Sequence, residues 1–298
     1  MTFTIEETLL SGDLASDYKP HMVWREFLLG VSKRKVFLGL VLETDVLVGK
    51  VGTKISVPAV SAGFSATSIT EASLDTSGFS PTDITTTDTD ISIGNIIYVA
   101  FRLSTVLGED MPAINWLRAN LQKCADAIMD YIDGAIRDVL IAGVGNSVDA
   151  DTGGTLAFAD IADIKRLLEA DSWFVDDGIP SLVIHPDQQY DILVSTTFTE
   201  TIRYQQGSVP FAGNLGGPLV PVVAGVKVIV SDNMTPALAV LVTPQTHRFG
   251  PNTIFAWKRR YTVEQDREVL YGRDLYVASV RYGSAVVQAN AIGLISNA

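Results

Sequence analysis

The chain has 298 residues with a formal net charge of −12, and apolar residues make up 47% of it. A domain of this length can bury a substantial core, and so acidic a balance argues against a nucleic-acid reader, which would present a basic face. The single cysteine, Cys124, excludes an intrachain disulfide, and no cluster of cysteine and histidine indicates a zinc site.

The first 35 residues have the pattern of short amphipathic helices joined by polar turns. Thr4 and Glu7 have the spacing of a capping box, and Pro20 suits the first turn of a second helix. The N-terminus is acidic where a signal peptide is basic, and charges interrupt the apolar stretch 23–51. We therefore expect no export signal and no membrane span, but an arm that lies on its own domain or on a neighbouring subunit.

Residues 36–60 have a β-strand pattern, which ends in the alternating segment 54–58. The following stretch, 61–94, is rich in serine, threonine, aspartate and glycine, with isolated isoleucines at strand-like spacing. A two-stranded ribbon is marginal in water by itself, and this one has too few apolar residues to bury against its own domain. We predict an extended hairpin that packs on another subunit; a polar loop is the alternative.

The longest predicted helix follows a strand at 96–106 that returns to the core. Asp110 and Pro112 mark its start, and the glycines of the segment 143–146 end it. A helix of roughly thirty residues is about 40 Å long, so we predict a spine that crosses the molecule. The apolar positions recur at three- and four-residue steps, at Ile114, Leu117, Leu121, Cys124, Ile128, Ile132, Ile136 and Val139.

Beyond a linker at 147–154, helices alternate with short strands, which is typical of a compact α/β unit. Residues 182–184 form a predicted buried strand, and a helix opens at Pro186. The segment 204–221 is a glycine- and proline-rich loop of a length that is usually functional or disordered. From Tyr261 onward the pattern is again that of strands.

The sequence contains no dinucleotide fingerprint, phosphate-binding loop, nucleophile elbow or zinc-protease motif. The best enzyme candidate is His185 with Asp187 at a strand end; the simpler explanation is that Asp187 caps the next helix. Residues 149–160 have part of a calcium loop's spacing, but Gly153 replaces a ligand and Asp160 is explained as a helix cap. We therefore predict no catalytic residue, no cofactor and no metal site.

The dense basic runs of the sequence are 33–35 and 258–260. Each could contact nucleic acid or an acidic neighbour. Three charges flanked by apolar residues are more typical of a solvated or intersubunit face than of a genome contact.

Three segments are similar to those of a known family: 181–189 (SLVIHPDQQ), 225–233 (GVKVIVSDN) and 281–287 (RYGSAVV). With the order of the elements, they resemble the major capsid proteins of tailed bacteriophages and related archaeal viruses, whose fold encapsulins share. The resemblance covers nearly the whole chain. It implies an α+β fold with an extended E-loop hairpin, a long spine helix in a peripheral domain, and a compact α/β axial domain.

The resemblance also implies a division of the chain into six parts. They are an N-terminal arm (1–31), peripheral-domain strands (32–60), the E-loop (61–94), the peripheral domain with the spine helix (95–144), the axial domain (145–257) and a peripheral-domain return (258–298).

Two departures from the family pattern concern assembly. Some members cross-link neighbouring E-loops through a lysine, but no lysine lies between Lys54 and Lys123. Many members begin with a long scaffolding segment that is cleaved off, whereas the arm expected here starts at Met1 and leaves no room for one. We therefore expect a shell without covalent cross-links and, if scaffolding is used, a separate scaffolding protein.

The resemblance implies a structural protein, not an enzyme, whose pentamers and hexamers form an icosahedral shell around double-stranded DNA. Expected partners are copies of itself, a portal, scaffolding or decoration proteins, and DNA without sequence-specific contact; no membrane is involved. The expected location is the virion, after assembly in the host cytoplasm. The alternatives are an encapsulin shell around cargo enzymes and an α/β enzyme with a site near His185.

Overall fold

A computed structural model shows a fold that combines α-helices with β-sheets. The structure describes residues 35–60, 86–94, 96–104, 113–150, 155–171, 178–194, 222–245 and 250–296. The predicted arm at 1–31, most of the predicted E-loop and the predicted loop at 204–221 lie outside these residues.

Three α-helices lie in the described ranges: α1 (Ala113–Ala142), α2 (Phe158–Ala170) and α3 (Pro186–Val194). Helix α1 is the predicted spine helix. Its buried positions Cys124, Ile128, Ile132 and Ile136 confirm the predicted apolar stripe. The stripe then continues with Leu140, in place of the predicted Val139, because the buried side chains repeat every four residues.

The described strands form three sheets. They are β1 (Leu42–Thr44), β2 (Lys54–Val60), β3 (Thr86–Ser92), β4 (Ile97–Ser104), β5 (Asn146–Asp149), β6 (Ser181–Ile184), β7 (Val222–Val223), β8 (Val226–Val230), β9 (Leu238–Val242), β10 (Thr253–Glu268), β11 (Arg273–Val286) and β12 (Ile292–Ser296).

A four-stranded sheet in the order β1-β10-β11-β4 packs against α1. Strand β1 runs parallel to β10 and covers only its first part, whereas β11 pairs with β10 in antiparallel register out to Glu268. Phe255 lies 4.7 Å from Trp257 and 4.9 Å from Tyr282 between ring centroids, in the core that the sheet shares with the helix. The predicted strand at 96–106 is confirmed as β4.

A six-stranded mixed sheet in the order β5-β12-β9-β6-β8-β7 forms the second layer, with α2 packed on β5 and β12. Strand β6 is fully buried at Leu182, Val183 and Ile184, as predicted. The predicted peripheral-domain return covers all of 258–298, but its last strand, β12, pairs with β5 and β9 in this sheet. A bare glycine at Gly293 makes room, because a Cβ there would stand 2.6 Å from Ile164 of α2.

A two-stranded ribbon of β2 and β3 is the third sheet. Residues 37–40, for which a β pattern was predicted, form a 3-10 turn. No described helix is long and apolar enough to cross a membrane.

Candidate assembly surfaces

One buried carboxylate joins three parts of the molecule. Asp133 of α1 is 1% exposed. Its Oδ1 accepts the backbone N–H groups of residues 36–38 at 3.1, 2.8 and 3.2 Å, and its Oδ2 accepts Nδ2 of Asn233 at 3.0 Å. Gathering three amides on one oxygen explains the 3-10 turn, because it bends the backbone around the carboxylate. Arg137 adds a second link to the Asn233 carbonyl at 2.6 Å.

Helix α1 also binds Lys35, the first residue of the chain that the structure describes, through salt bridges. Lys35 places its Nζ 3.0 Å from Asp126 Oδ1 and 3.8 Å from Asp130 Oδ1. Acidic residues on successive turns of α1 therefore fix 35–38, the first residues that the structure describes after the predicted arm.

The base of the ribbon packs on its own subunit. Ile91 and Ile93 are 0% and 8% exposed, in a cluster with Ile254 of β10. Gly283 of β11 lets the ribbon cross closely, because a Cβ there would lie 2.3 Å from the Ser92 carbonyl oxygen. The prediction that the ribbon has too few apolar residues to pack on its own domain is therefore wrong for its base, where burial of the two isoleucines supplies the apolar surface.

The outer face of the ribbon is polar. Asp90 pairs with Lys54 at 2.5 Å and accepts the Ser56 hydroxyl at 2.6 Å. These hydrogen bonds, first that with Lys54, lower the pKa of Asp90, so the carboxylate stays charged on the exposed face. The two faces of the ribbon therefore differ: one packs on the four-stranded sheet, and the other is exposed to solvent.

An apolar turn, here called the hairpin tip (269–271), joins β10 to β11. Val269, Leu270 and Tyr271 are 76%, 94% and 70% exposed. Gly272 has φ of 58° and donates its N–H to the Val269 carbonyl at 3.3 Å, which closes the turn. The guanidinium of Arg273 lies 4.5 Å from the Tyr271 ring centroid, so the ring is held in place.

A second exposed apolar segment, here called the valine loop (45–52), follows β1. Val46, Val48 and Val51 are 53%, 40% and 104% exposed, whereas Leu47 is buried and anchors the loop. The loop begins with a turn in which the Val48 N–H donates to the Asp45 carbonyl at 2.9 Å.

The basic run 258–260 binds its own subunit. Lys258 donates to the carbonyl of Lys50, and Arg259 pairs with Glu264. Arg260 pairs with Asp45 at 2.5 Å, and that hydrogen bond raises the pKa of the guanidinium. The charges of Arg259 and Arg260 are therefore paired within the subunit, whereas Lys258 keeps its charge and binds a backbone carbonyl. Of the other run, 33–35, only Lys35 lies within the described residues.

His185 serves the start of α3. Its Nδ1 accepts the N–H of Asp187 at 3.2 Å, and its own N–H donates to Gln188 Oε1 at 3.0 Å. This reciprocal pair satisfies amides of the first helical turn. The simpler explanation gave the capping role to Asp187, but in these hydrogen bonds His185 accepts the amide of Asp187 and Gln188 accepts that of His185.

The candidate calcium loop lies partly outside the described residues. Asp160 accepts the Ala157 N–H at 2.8 Å at the start of α2, which is the capping role expected of it. Within the ranges that the structure describes, no three His, Cys, Asp or Glu side chains are placed to hold a metal. Cys124 is 6% exposed, and its burial raises the pKa of the thiol.

Sequence reasoning missed the Asp133 junction and both exposed apolar segments. The partners of Asp133 lie about one hundred residues away in the chain, which no local pattern reveals. The sequence did contain a sign of the exposed hairpin tip, because turns are usually polar and Val-Leu-Tyr-Gly is an unusual sequence for one.

A family model described as "Phage capsid protein" matches residues 105–297. No curated protein matches the chain.

Solved structures share the fold over most of the chain. A chain from Mycobacterium phage Che8 is 18% identical with a TM-score of 0.69, and the match covers 94% of this chain and 97% of that one. The capsid structure of the cyanophage P-SCSP1u is 14% identical with a TM-score of 0.73, covering 94% and 93%. A virus-like particle from Pyrococcus furiosus is 11% identical with a TM-score of 0.55, covering 87% and 91%. At these identities the likeness is one of fold, and it confirms the predicted α+β architecture.

Proposed function

The chain belongs to the phage capsid protein family and is a structural protein of the virion, and we propose that its pentamers and hexamers close an icosahedral shell around double-stranded DNA. The observation that carries the proposal is the family match over 105–297, which spans α1, the six-stranded sheet and strands β10 and β11 of the four-stranded sheet. The likeness to the cyanophage capsid over 94% of the chain supports the same conclusion.

The charge of the subunit suits a wall that holds DNA without reading it. The net charge is −12, and two of the three charges of the basic run 258–260, Arg259 and Arg260, pair with carboxylates of their own subunit. Protein–DNA affinity depends mainly on lysine and arginine contacts with phosphate, so few such contacts leave the packaged genome free to move against the wall. We propose that any contact with DNA lacks sequence preference.

The other partners follow from the same proposal. A shell filled with DNA needs a portal, and we propose that any scaffold is a separate protein. Decoration proteins would bind the finished outer face. Assembly would take place in the host cytoplasm, where the subunits and the genome are made.

A shell that encloses cargo enzymes is the second candidate. The match to the Pyrococcus furiosus particle supports it, but the TM-score of 0.55 is lower than the 0.73 of the cyanophage capsid. An enzyme with a site near His185 has less support, because the imidazole Nδ1 already accepts a backbone amide of α3.

The test is to isolate particles from virus-producing cells and from cells that express this chain alone, and to view both by negative-stain electron microscopy. Closed shells built of five- and six-fold rings are expected from both sources. Particles from virus-producing cells should protect double-stranded DNA from nuclease, whereas the recombinant shells should not.

Two outcomes would contradict the proposal. A chain that stays monomeric at high concentration in both sources would not be a shell protein. Shells that enclose a stoichiometric protein cargo and no nuclease-protected DNA would be nanocompartments.

A further inference from the structure

We infer that Asn233 is a positioning residue, which orients the Asp133 carboxylate toward the backbone of residues 36–38 and so couples the six-stranded sheet to the start of the described chain. Asn233 lies in the turn that follows β8, a strand of that sheet. Residues 36–38 bind the other oxygen of the same carboxylate. What happens on one side of Asp133 should therefore be felt on the other.

The two oxygens of Asp133 have separate sets of partners. Oδ1 accepts the three amides of residues 36–38 at 2.8–3.2 Å, and Oδ2 accepts Nδ2 of Asn233 at 3.0 Å. The carboxylate is planar, so rotation about its Cβ–Cγ bond moves both oxygens together, and that rotation is soft in a free aspartate. A donor fixed on Oδ2 therefore decides where Oδ1 points. Because the side chain is 1% exposed, water does not replace that donor.

Asn233 is itself held in place, so its Nδ2 is a fixed donor. Arg137, one turn beyond Asp133 on α1, donates Nη1 to the Asn233 carbonyl at 2.6 Å. The Asn233 N–H donates to Ser231 Oγ at 3.2 Å, and the residue is 8% exposed. A displacement of the turn after β8 against α1 would therefore carry the donor with it and rotate the carboxylate.

The other end of the 3-10 turn is tied to the same sheet. Gln245, three residues after β9, donates Nε2 to the Leu40 carbonyl and to Asn252 Oδ1, the latter at 2.9 Å. Asn252 is 0% exposed and donates Nδ2 to the Thr243 carbonyl at 2.7 Å. Residues 36–40 are therefore held at both ends by groups that strands β8 and β9 position.

Such a coupling would serve a subunit that occupies two kinds of ring, and this use of it rests on the proposed function. One chain that builds both pentamers and hexamers has to fit two different surroundings. The six-stranded sheet lies in the predicted axial domain, and residues 36–38 directly follow the predicted arm. A shift of the sheet would change the hold on the first described residues, and the geometry of the ring would thereby reach the segment beside the arm.

The test is hydrogen exchange of the unassembled subunit, measured for each amide by NMR. Asn233→Asp keeps the shape of the side chain but replaces the donor with a second carboxylate oxygen. The amides of residues 36–38 should then exchange about tenfold faster or more, relative to the amide of buried Ala278 in the central strand β11, which reports opening of the whole subunit.

Asn146→Ala is the matched control. The Asn146 side chain also donates Nδ2 to a carboxylate oxygen, that of Asp171 at 3.0 Å, but it is not a partner of Asp133. Its removal should leave the exchange of residues 36–38, relative to Ala278, within about twofold of the wild type.

Arg137→Ala is a milder second variant, because the Arg137 side chain is 24% exposed. It removes only the hold on the Asn233 carbonyl, so the same amides should exchange faster by a smaller factor. If Asn233→Asp does not fold, Arg137→Ala decides alone.

Two results would overturn the inference. Unchanged relative exchange of residues 36–38 in the folded variants would show that Asp133 keeps its orientation without Asn233. Equal acceleration of these amides and of Ala278 would show that Asn233 only adds to the stability of the whole subunit. Both measurements use single subunits and leave the shell function standing, whereas failure of the unaltered chain to form particles would contradict the proposed function alone.

Discussion

The side chain of Asp133 links residues 36–38 and the turn after β8 to the spine helix α1 through hydrogen bonds. Replacing it with alanine should leave the amides of residues 36–38 and the Asn233 side chain without their acceptor. Hydrogen bonds to a charged group contribute more than neutral ones, so we expect Asp133→Ala to lower the free energy of unfolding by about 3 kcal/mol. Urea unfolding of the unassembled subunit measures the loss.

The matched control is Asp138 on the same helix. Its side chain is 66% exposed and pairs with its neighbour Arg137 at the surface. Asp138→Ala should change stability by no more than about 0.5 kcal/mol. Equal losses for the two variants would show that the buried junction adds nothing to stability.

Tyr282 gives the subunit an alkaline limit. Burial raises its pKa to about 12, whereas an unfolded tyrosine ionises near about 10. Because the folded value is the higher one, the stability that the neutral phenol contributes is complete below pH 10 and is lost as the pH rises toward 12.

Tyr282→Phe removes that titration. Between pH 10 and 12 the free energy of unfolding of the variant should fall by about 1–2 kcal/mol less than that of the wild type. Denaturant titrations at a series of pH values provide the measurement. Parallel pH profiles for the two proteins would mean that the phenol is not protected in the folded subunit.

At the scale of elements, the ribbon crosses β11 at Gly283 with no space for a side chain. Gly283→Ala should push the backbone of Ser92 away and weaken the hydrogen bond from the Gly94 N–H to the Tyr282 carbonyl, 2.9 Å long. Overpacking of this kind costs about 1–3 kcal/mol. Hydrogen exchange of Gly94 and urea unfolding should both report the change.

Gly39 is the matched control for this substitution. A Cβ at Gly39 would meet nothing within 4 Å. Gly39→Ala should therefore leave stability within about 0.5 kcal/mol of the wild type and the ribbon in place. The crossing would not be tight if Gly283→Ala behaved in the same way.

The ribbon beyond its base is predicted to act between subunits. Residues 61–85 can be replaced by a short Gly-Ser turn without touching β2 and β3, whose register ends at Val60 and Thr86. The shortened subunit should stay folded, because Ile91 still anchors the base, but it should fail to assemble. Size-exclusion chromatography and electron microscopy measure folding and assembly of the shortened subunit. Normal shells would rule out an intersubunit role for residues 61–85, and unfolding would place them in the subunit core.

Elements with a strong periodic pattern could be predicted, and those shaped by distant residues could not. Helix α1 follows directly from its apolar repeat, because one face of it is buried from Cys124 to Leu140. Residues 37–40 have the composition of a strand, but the Asp133 carboxylate, 96 residues away from Phe37, bends them into a turn. The acceptor lies on another element, so the local sequence does not show it.

For the whole molecule, we predict a shell held together without covalent bonds. No lysine lies between Lys54 and Lys123, and Cys124 is buried on the face of α1 that packs in the core. Mature particles boiled in detergent without reductant should therefore run as one band at 32.1 kDa. A ladder of larger bands would refute the prediction.

The order of parts along the chain predicted the architecture, but not the order of strands in the sheets. Ribbon, spine helix and α/β unit follow one another in sequence, so their succession is visible in composition and periodicity. The pairing of β12 with β5 joins segments that lie far apart, with Gly293 opposite Asn146. Apolar strands of similar length are interchangeable by pattern, so the sequence does not tell which sheet receives the last one.

The position of β12 means that the six-stranded sheet can be completed only after residues 292–296 have been synthesised. This strand is made after every other described element, yet it lies between β5 and β9, inside the six-stranded sheet. A chain whose translation stops before Ile292 cannot join these two strands, and α2 loses β12, one of the strands on which it packs. A product truncated at this point therefore lacks a finished six-stranded sheet.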